Sequence, residues 1–216
     1  LTDRDSGEDN FPCRGISISD DARPLSGTRI CYFGRYDPHN LRNTIAIKCL
    51  TRSGAEVVAL RDGRGLLART PRLAVRGLAT SFDAIVVAFR AHSDMFLARA
   101  LASVKGVPLI FDPLTSRYEE RVVDRHQVEP DSALARWYRA SDRAGCRAAD
   151  RLLLETNAQI DYFVQTFGVA REKCRRLWLG ADDDVIRPQP SRTSGAAFVV
   201  FFYGRFSPLH GIEHII

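Results

Sequence analysis

The sequence predicts an α/β fold built on an open, doubly wound parallel sheet. From residue 28 onward, short apolar runs of strand length alternate with longer segments of helical period. Breakers such as Gly54 and Gly106 fall at the joints between them. The run at residues 83–89, DAIVVAF, is almost continuously apolar, as expected of a parallel strand covered on both faces.

Residues 1–27 are rich in Asp, Ser, Gly and Arg and show no period, which predicts a disordered leader. Residues 28–33 (TRICYF) form the first strand. Residues 34–40 form a loop, and 41–53 a helix with Leu41, Ile45 and Leu50 near one face. Gly54 suits the C′ position of that helix, and residues 56–60 (EVVAL) complete a βαβ unit with a right-handed crossover. A helix is expected over 66–78, interrupted or started by Pro71. After the strand at 83–89 comes a helix over 93–104 with Phe96, Leu97, Ala100, Leu101 and Val104 inward. Residues 107–111 (VPLIF) form the fourth strand.

A polar stretch occupies 112–130, then come a helix at 132–149, a strand at 151–154 and a helix at 156–167. Thr156 and Gln159 have capping-box spacing at the start of that last helix. A sixth strand is expected at 176–179, and the DDDVIRPQPSRTSG segment after it reads as a linker or hinge. Residues 198–216 then read as a buried strand, a Gly-containing turn and the opening of a second α/β unit. That opening unit, and Leu1 in place of a methionine, predict a sequence incomplete at both ends.

The chain has 216 residues and a net charge of +5, room for one domain and part of another. The balance allows attraction to phosphates or an anionic membrane surface without proving either. Five widely spaced cysteines with no CxxC pair give neither a zinc site nor a disulfide scaffold and fit reduced thiols of a cytoplasmic protein. No apolar run is long enough to span a bilayer, and residues 1–10 lack a signal-peptide pattern.

In open parallel sheets, ligands bind beyond the carboxyl ends of the strands, which selects the loops at 34–40, 90–93, 112–125, 155–157 and 180–184. The GxGxxA pattern of Gly63, Gly65 and Ala68 comes after the second strand, whereas a dinucleotide fingerprint belongs in the first βα turn, so it is rejected. HGIEH at 210–214 matches an inverted zinc-protease motif but lacks a third ligand, so no metal is expected. There is no GxSxG elbow and no P-loop. Two basic stripes recur at helical spacing: Arg136, Arg139, Arg143 and Arg147 beside Trp137 and Tyr138, and Arg64, Arg69, Arg72 and Arg76 among leucines. They read either as solvated faces over apolar inner faces or as a surface for anionic lipid headgroups. The aromatics are too few, and too buried by pattern, for a base-stacking platform, so nucleic acid is not expected.

The segment RLWLGADDDVIRP at 176–188, with FFYGRFSPLHGIEHII after it, resembles the interdomain junction of GT-B glycosyltransferases that transfer sugars from nucleotide-sugar donors with retention. Gly180, Asp182 and Pro188 match the element closing the N-terminal domain, and Gly204, Arg205, Gly211 and Ile215 the element opening the next. YFGRYDPHNLRN at 32–43 is also similar to members with an Arg-Asn pair on the first helix.

The resemblance implies a Rossmann-like, acceptor-side domain at 28–188, a linker at 189–196 and the start of a donor-binding domain at 197–216. It implies donor contacts from Gly34, Arg35, Gly204, Arg205 and His210, the last standing where the family carries Lys. Asp112 occupies the position of a catalytic His in many relatives, and orienting an acceptor hydroxyl is its alternative role. The implied partners are a nucleotide sugar and a glycan or lipid-linked acceptor, with no cofactor. The fragment alone is expected to be inactive. The competing readings are a non-catalytic doubly wound binding or regulatory module and a Rossmann-type NAD(P)-dependent reductase or epimerase.

Overall fold

A computed structural model describes residues 23–187. Its sheet has six strands, all parallel, in the order β2-β1-β3-β4-β5-β6. The strands are β1 (Arg29–Gly34), β2 (Glu56–Arg61), β3 (Ala84–Val87), β4 (Leu109–Phe111), β5 (Arg151–Leu154) and β6 (Cys174–Arg176). The helices are α1 (Leu41–Arg52), α2 (Leu66–Ala79), α3 (Met95–Lys105), α4 (Ala133–Ala148) and α5 (Asn157–Phe167). Because crossovers in parallel sheets are right-handed, the leftward step through α1 and the rightward steps through α2 to α5 put α1 on one face and the others on the opposite face. There α2 packs on α3, α3 on α4 and α4 on α5. The doubly wound sheet read from the sequence is therefore the architecture observed.

Local chemistry sets the boundaries. Asn40 caps α1 by accepting the Arg42 N–H, and Gly54 (φ +93) closes it. The Gly54 N–H bonds Thr51 O and the Ala55 N–H bonds Leu50 O, the paired bonds of a Schellman motif. Thr156 Oγ1 accepts the Gln159 N–H at the start of α5. The reciprocal half of the capping box is diverted, since Gln159 Oε1 accepts from Glu155 N at 2.8 Å and Nε2 donates to Leu114 O. The core is the sheet interior, with Tyr32, Phe33, Ile85, Val87, Phe111 and Leu152 fully buried. Cys31, Cys146 and Cys174 are free and buried, and burial pushes the Cys31 thiol up to about 12.

Several expectations need correction. α2 starts at Leu66 and runs through Pro71 rather than breaking there. β6 lies at Cys174–Arg176, not at 176–179; the Leu177 N–H makes a last bond to Leu154 O, and residues 178–179 lie beyond the strand. Glu119–Asp124, within the polar stretch, forms a π-helical turn with no strong sequence signal. The inward face of α3 is Met95, Ala98, Leu101 and Ala102, whereas Phe96, Ala100 and Val104 are exposed. In α2 the inward face is mixed, with Arg69 buried beside Leu73, while Leu67, Val75 and Leu78 face solvent. The aromatics as a set read as buried by pattern, yet Trp137 is 55 % exposed.

Candidate functional site

The chain order makes β1 and β3 neighbours that feed helices on opposite faces. Such a switch point opens a crevice beyond the strand ends. Gly34 ends β1 there, with φ +108. A Cβ at this position would lie 2.5 Å from Ala91 Cβ and 3.0 Å from Asp94 Oδ2, so only glycine lets the loop pass this close to the β3 loop. Arg35 comes next with its side chain exposed, and its backbone N–H donates to Asp94 Oδ2 at 2.8 Å. Asp94 is itself buried, and its Oδ1 accepts from Arg69 Nε at 2.8 Å. Arg69 also donates to Ser93 Oγ and Arg64 O, so one α2 side chain ties the β2 and β3 loops together beneath the crevice and reaches the β1 loop through Asp94.

The β3 and β4 loops hold non-glycine residues at positive φ, Arg90 (73°) and Leu114 (56°). Conformations of this kind cost of order 1 kcal/mol and persist where surrounding structure enforces them. Arg90 is exposed and reaches Glu120 at 3.5 Å. His92 stacks edge-on against Phe111 with centroids 5.2 Å apart, and its Nε2 donates to Thr115 O at 3.0 Å. Burial lowers its pKa, disfavouring the charged imidazolium.

On the other face, Arg42 from α1 grips Asp112 at the end of β4 through two parallel bonds, Nε–Oδ2 and Nη2–Oδ1, both 2.9 Å. The same guanidinium reaches Glu155 Oε1 at 3.4 Å and Leu177 O at 3.3 Å. Burial raises the Asp112 pKa, and Arg42 opposes that shift. Asn43 is likewise buried, accepting from Tyr32 OH and donating to Asp37 O. Beyond β6, residues 177–187 return across this face to α1, where Lys48 and Arg52 meet Asp183 at 2.9 Å. The strap, α1 and the sheet enclose a cavity of about 340 Å³ lined by Ile45, Val86, Ile110, Leu153 and Trp178, with Arg42 and Asp112 in its wall. Its lining suits a hydrocarbon group better than a phosphate.

Among the described residues, the carboxylates with metal-ligand spacing are Asp182, Asp183 and Asp184, and their charge is already met by Lys48 and Arg52. No described helix is long and apolar enough to cross a membrane. Gly63 and Gly65 sit beside edge strand β2, where a Cβ would meet nothing within 4 Å. Neither glycine is required by close approach, which agrees with rejecting the dinucleotide fingerprint.

Of the residues expected at the site, Gly34 and Arg35 share the switch-point loop, and Asp112 lies on the opposite face, turned to Arg42. Gly204, Arg205 and His210 fall outside the described residues. His92 and Glu155 fall in loops the sequence selects at the carboxyl ends of strands, and Arg42 and Asn43 carry a signal through the family resemblance, whereas Arg69 and Asp94 carry none.

A family model described as a glycosyl transferase 4-like domain matches residues 42–180, more than half of the chain. No curated protein matches. Similar solved structures include three of Anabaena Alr3699/HepE. The complex with UDP and glucose has 12 % identity and TM-score 0.49, covering 76 % of this chain and 47 % of that one. The complex with UDP-glucose has 11 % identity, TM-score 0.49 and the same coverage. The complex with UDP has 12 % identity and TM-score 0.44, covering 75 % and 46 %. This chain thus spans about half the length of those structures. With the family match over 42–180 and its all-parallel, doubly wound sheet, the chain belongs to the glycosyl transferase 4-like family of GT-B glycosyltransferases.

Proposed function

We propose that residues 28–188 form the acceptor-side domain of a glycosyltransferase that moves a sugar from a nucleotide-sugar donor to a glycan or lipid-linked acceptor, with retention and without a metal. Residues 197–216 begin the donor-binding domain, joined through the linker at 189–196. The observation that carries this reading is the switch-point loop, where glycine is required at Gly34 and a cation, Arg35, stands exposed beside it.

Cleavage of the sugar–phosphate bond leaves negative charge on the departing diphosphate oxygen. Fixed cations and backbone N–H groups aimed at that oxygen lower the barrier because the charge develops only as the bond breaks. Arg35, Arg205 and His210 supply those groups from the two domains. Arg205 is permanently charged, while His210 contributes as a neutral donor or when protonated. Asp112 acts through Arg42, holding α1 and the β5 loop against the acceptor side of the cleft rather than touching the acceptor itself. The site works from the cytoplasmic side, where nucleotide sugars are available.

The test compares this 216-residue chain with a version extended through the complete second domain, each given a panel of nucleotide sugars and assayed for donor hydrolysis and transfer. Turnover by the extended protein and none by the shorter chain is expected. Robust turnover by the shorter chain, or none by the extended protein with Arg35 intact on every donor, overturns the reading.

A further inference from the structure

The outer surface of the α2–α3–α4 layer is built against the usual rule for a solvated face. α2 buries Arg69, Leu73 and Gly77, while Leu67 is 92 % exposed and Val75 67 %. At 3.6 residues per turn, Leu67, Pro71, Val75 and Leu78 fall in one stripe opposite the buried one. The neighbouring α3 adds exposed Phe96 and Val104, and α4 adds exposed Leu134 and Trp137. Isolated surface leucines need no explanation, but large exposed apolar side chains on each of three adjacent helices do.

The charge on the same layer has one sign. The three helices carry nine arginines and lysines and a single carboxylate, Asp142, which is buried against Arg117. The whole chain has a net charge of only +5, so its positive excess is concentrated here. Among the described residues, the ion pairs these helices make are Arg69–Asp94, Arg99–Asp150 and Arg117–Asp142. Arg72, Arg136, Arg139, Arg143 and Arg147 are exposed outside those pairs.

We propose that this three-helix face docks on an anionic lipid surface. Cations alone would serve any polyanion. Leu67, Val75 and Phe96 among them need an apolar phase beside the charge, which the boundary between headgroups and acyl chains provides. Nucleic acid offers no such phase and would leave these side chains in water. α2 begins just past the carboxyl end of β2, so the face borders the crevice at Gly34 and would present that crevice to molecules held in the membrane. The inference stands whichever sugar or acceptor the enzyme uses.

Sedimentation with vesicles tests it on the full chain. Vesicles of phosphatidylcholine with phosphatidylglycerol should bind the protein, and pure phosphatidylcholine should not. Arg72→Glu with Arg136→Glu should weaken binding at least tenfold, given about fivefold per cation near an anionic surface. Leu67→Ser with Val75→Ser should weaken vesicle binding severalfold while leaving binding to heparin unchanged. All four positions are exposed, and an unchanged circular dichroism melt confirms that each variant folds. No binding to the mixed vesicles overturns the proposal. So does binding that ignores the Leu67 and Val75 changes, which marks a general polyanion site, or self-association without lipid that those changes abolish.

Discussion

Arg42–Asp112 and Arg69–Asp94 stand on opposite faces of the sheet at its carboxyl edge, and none of the four side chains is more than 4 % exposed. They spend their bonds differently. Asp112 gives both oxygens to one guanidinium, and that guanidinium ties α1 to β4, Glu155 and the strap at Leu177. Asp94 gives one oxygen to Arg69 and the other to the backbone of Arg35, inside the switch-point loop. The first pair is closed on itself and fastens elements together. The second has one hand on the loop that faces the crevice. Burial of an ion pair therefore does not tell its purpose; the partner of the second carboxylate oxygen does.

Arg42→Met should give the largest effect. It leaves Asp112 buried without its partner, a loss of about 3–5 kcal/mol in urea unfolding at pH 7. Burial already raises the Asp112 pKa, so in this variant the folded carboxyl lies above its unfolded value. Stability should then be greatest at acid pH and fall as pH rises through the folded value. Arg42→Met combined with Asp112→Leu should recover most of the loss, because no charge is left buried.

Arg69→Met should cost about 2 kcal/mol, since Asp94 keeps the Arg35 N–H. In the extended enzyme it should also raise the donor KM about tenfold by loosening the loop, an effect of about 1.4 kcal/mol. An equal rise in donor KM for Arg42→Met would erase the distinction between the two pairs.

Gly34→Ala tests the loop itself and should cost about 1–2 kcal/mol, with a matching fall in kcat/KM. Its Cβ would meet Ala91 Cβ at 2.5 Å and would sit at φ +108. Adding Ala91→Gly should relieve the contact but not the φ strain, so rescue should be partial. Full rescue would assign the glycine requirement to crowding alone.

Most strands and helices were legible because they are written in local chemistry: Ile85–Val87 is apolar throughout, and Asn40 is a side chain suited to capping α1. The switch-point loop was legible too, since Gly34 and Arg35 stand at the end of an obvious strand. The ion pairs were not. Arg42 and Asp112 are 70 residues apart, and Arg69 and Asp94 are 25 apart, so their meeting depends on the strand order. Arg69 reads as one more member of a basic stripe because residue type normally forecasts exposure. A buried carboxylate waiting on the next loop reverses that forecast, and no periodicity within α2 records it. The π-helical turn at Glu119–Asp124 was hidden for the opposite reason: EERVVD has the composition of an ordinary solvated segment.

That turn supplies a half-buried carboxylate without a guanidinium, unlike Asp94, Asp112 and Asp142, which each have one. Glu119 Oε2 and Asp124 Oδ1 have no hydrogen-bond partner among the described residues, and burial raises the Glu119 pKa, with Asp124 and Asp142 adding to the shift. A carboxyl raised in the folded state stabilises below its unfolded pKa, and that contribution is lost as pH rises through the folded value. Glu119→Gln keeps the shape and removes the titration, so it should raise Tm slightly at pH 7 and leave it nearly unchanged at pH 4. This is the smallest effect expected and has the opposite sign to Arg42→Met. A lower Tm at pH 7 would show that Glu119 is paired in solution after all, which would place it with Asp94 and Asp112 rather than apart from them.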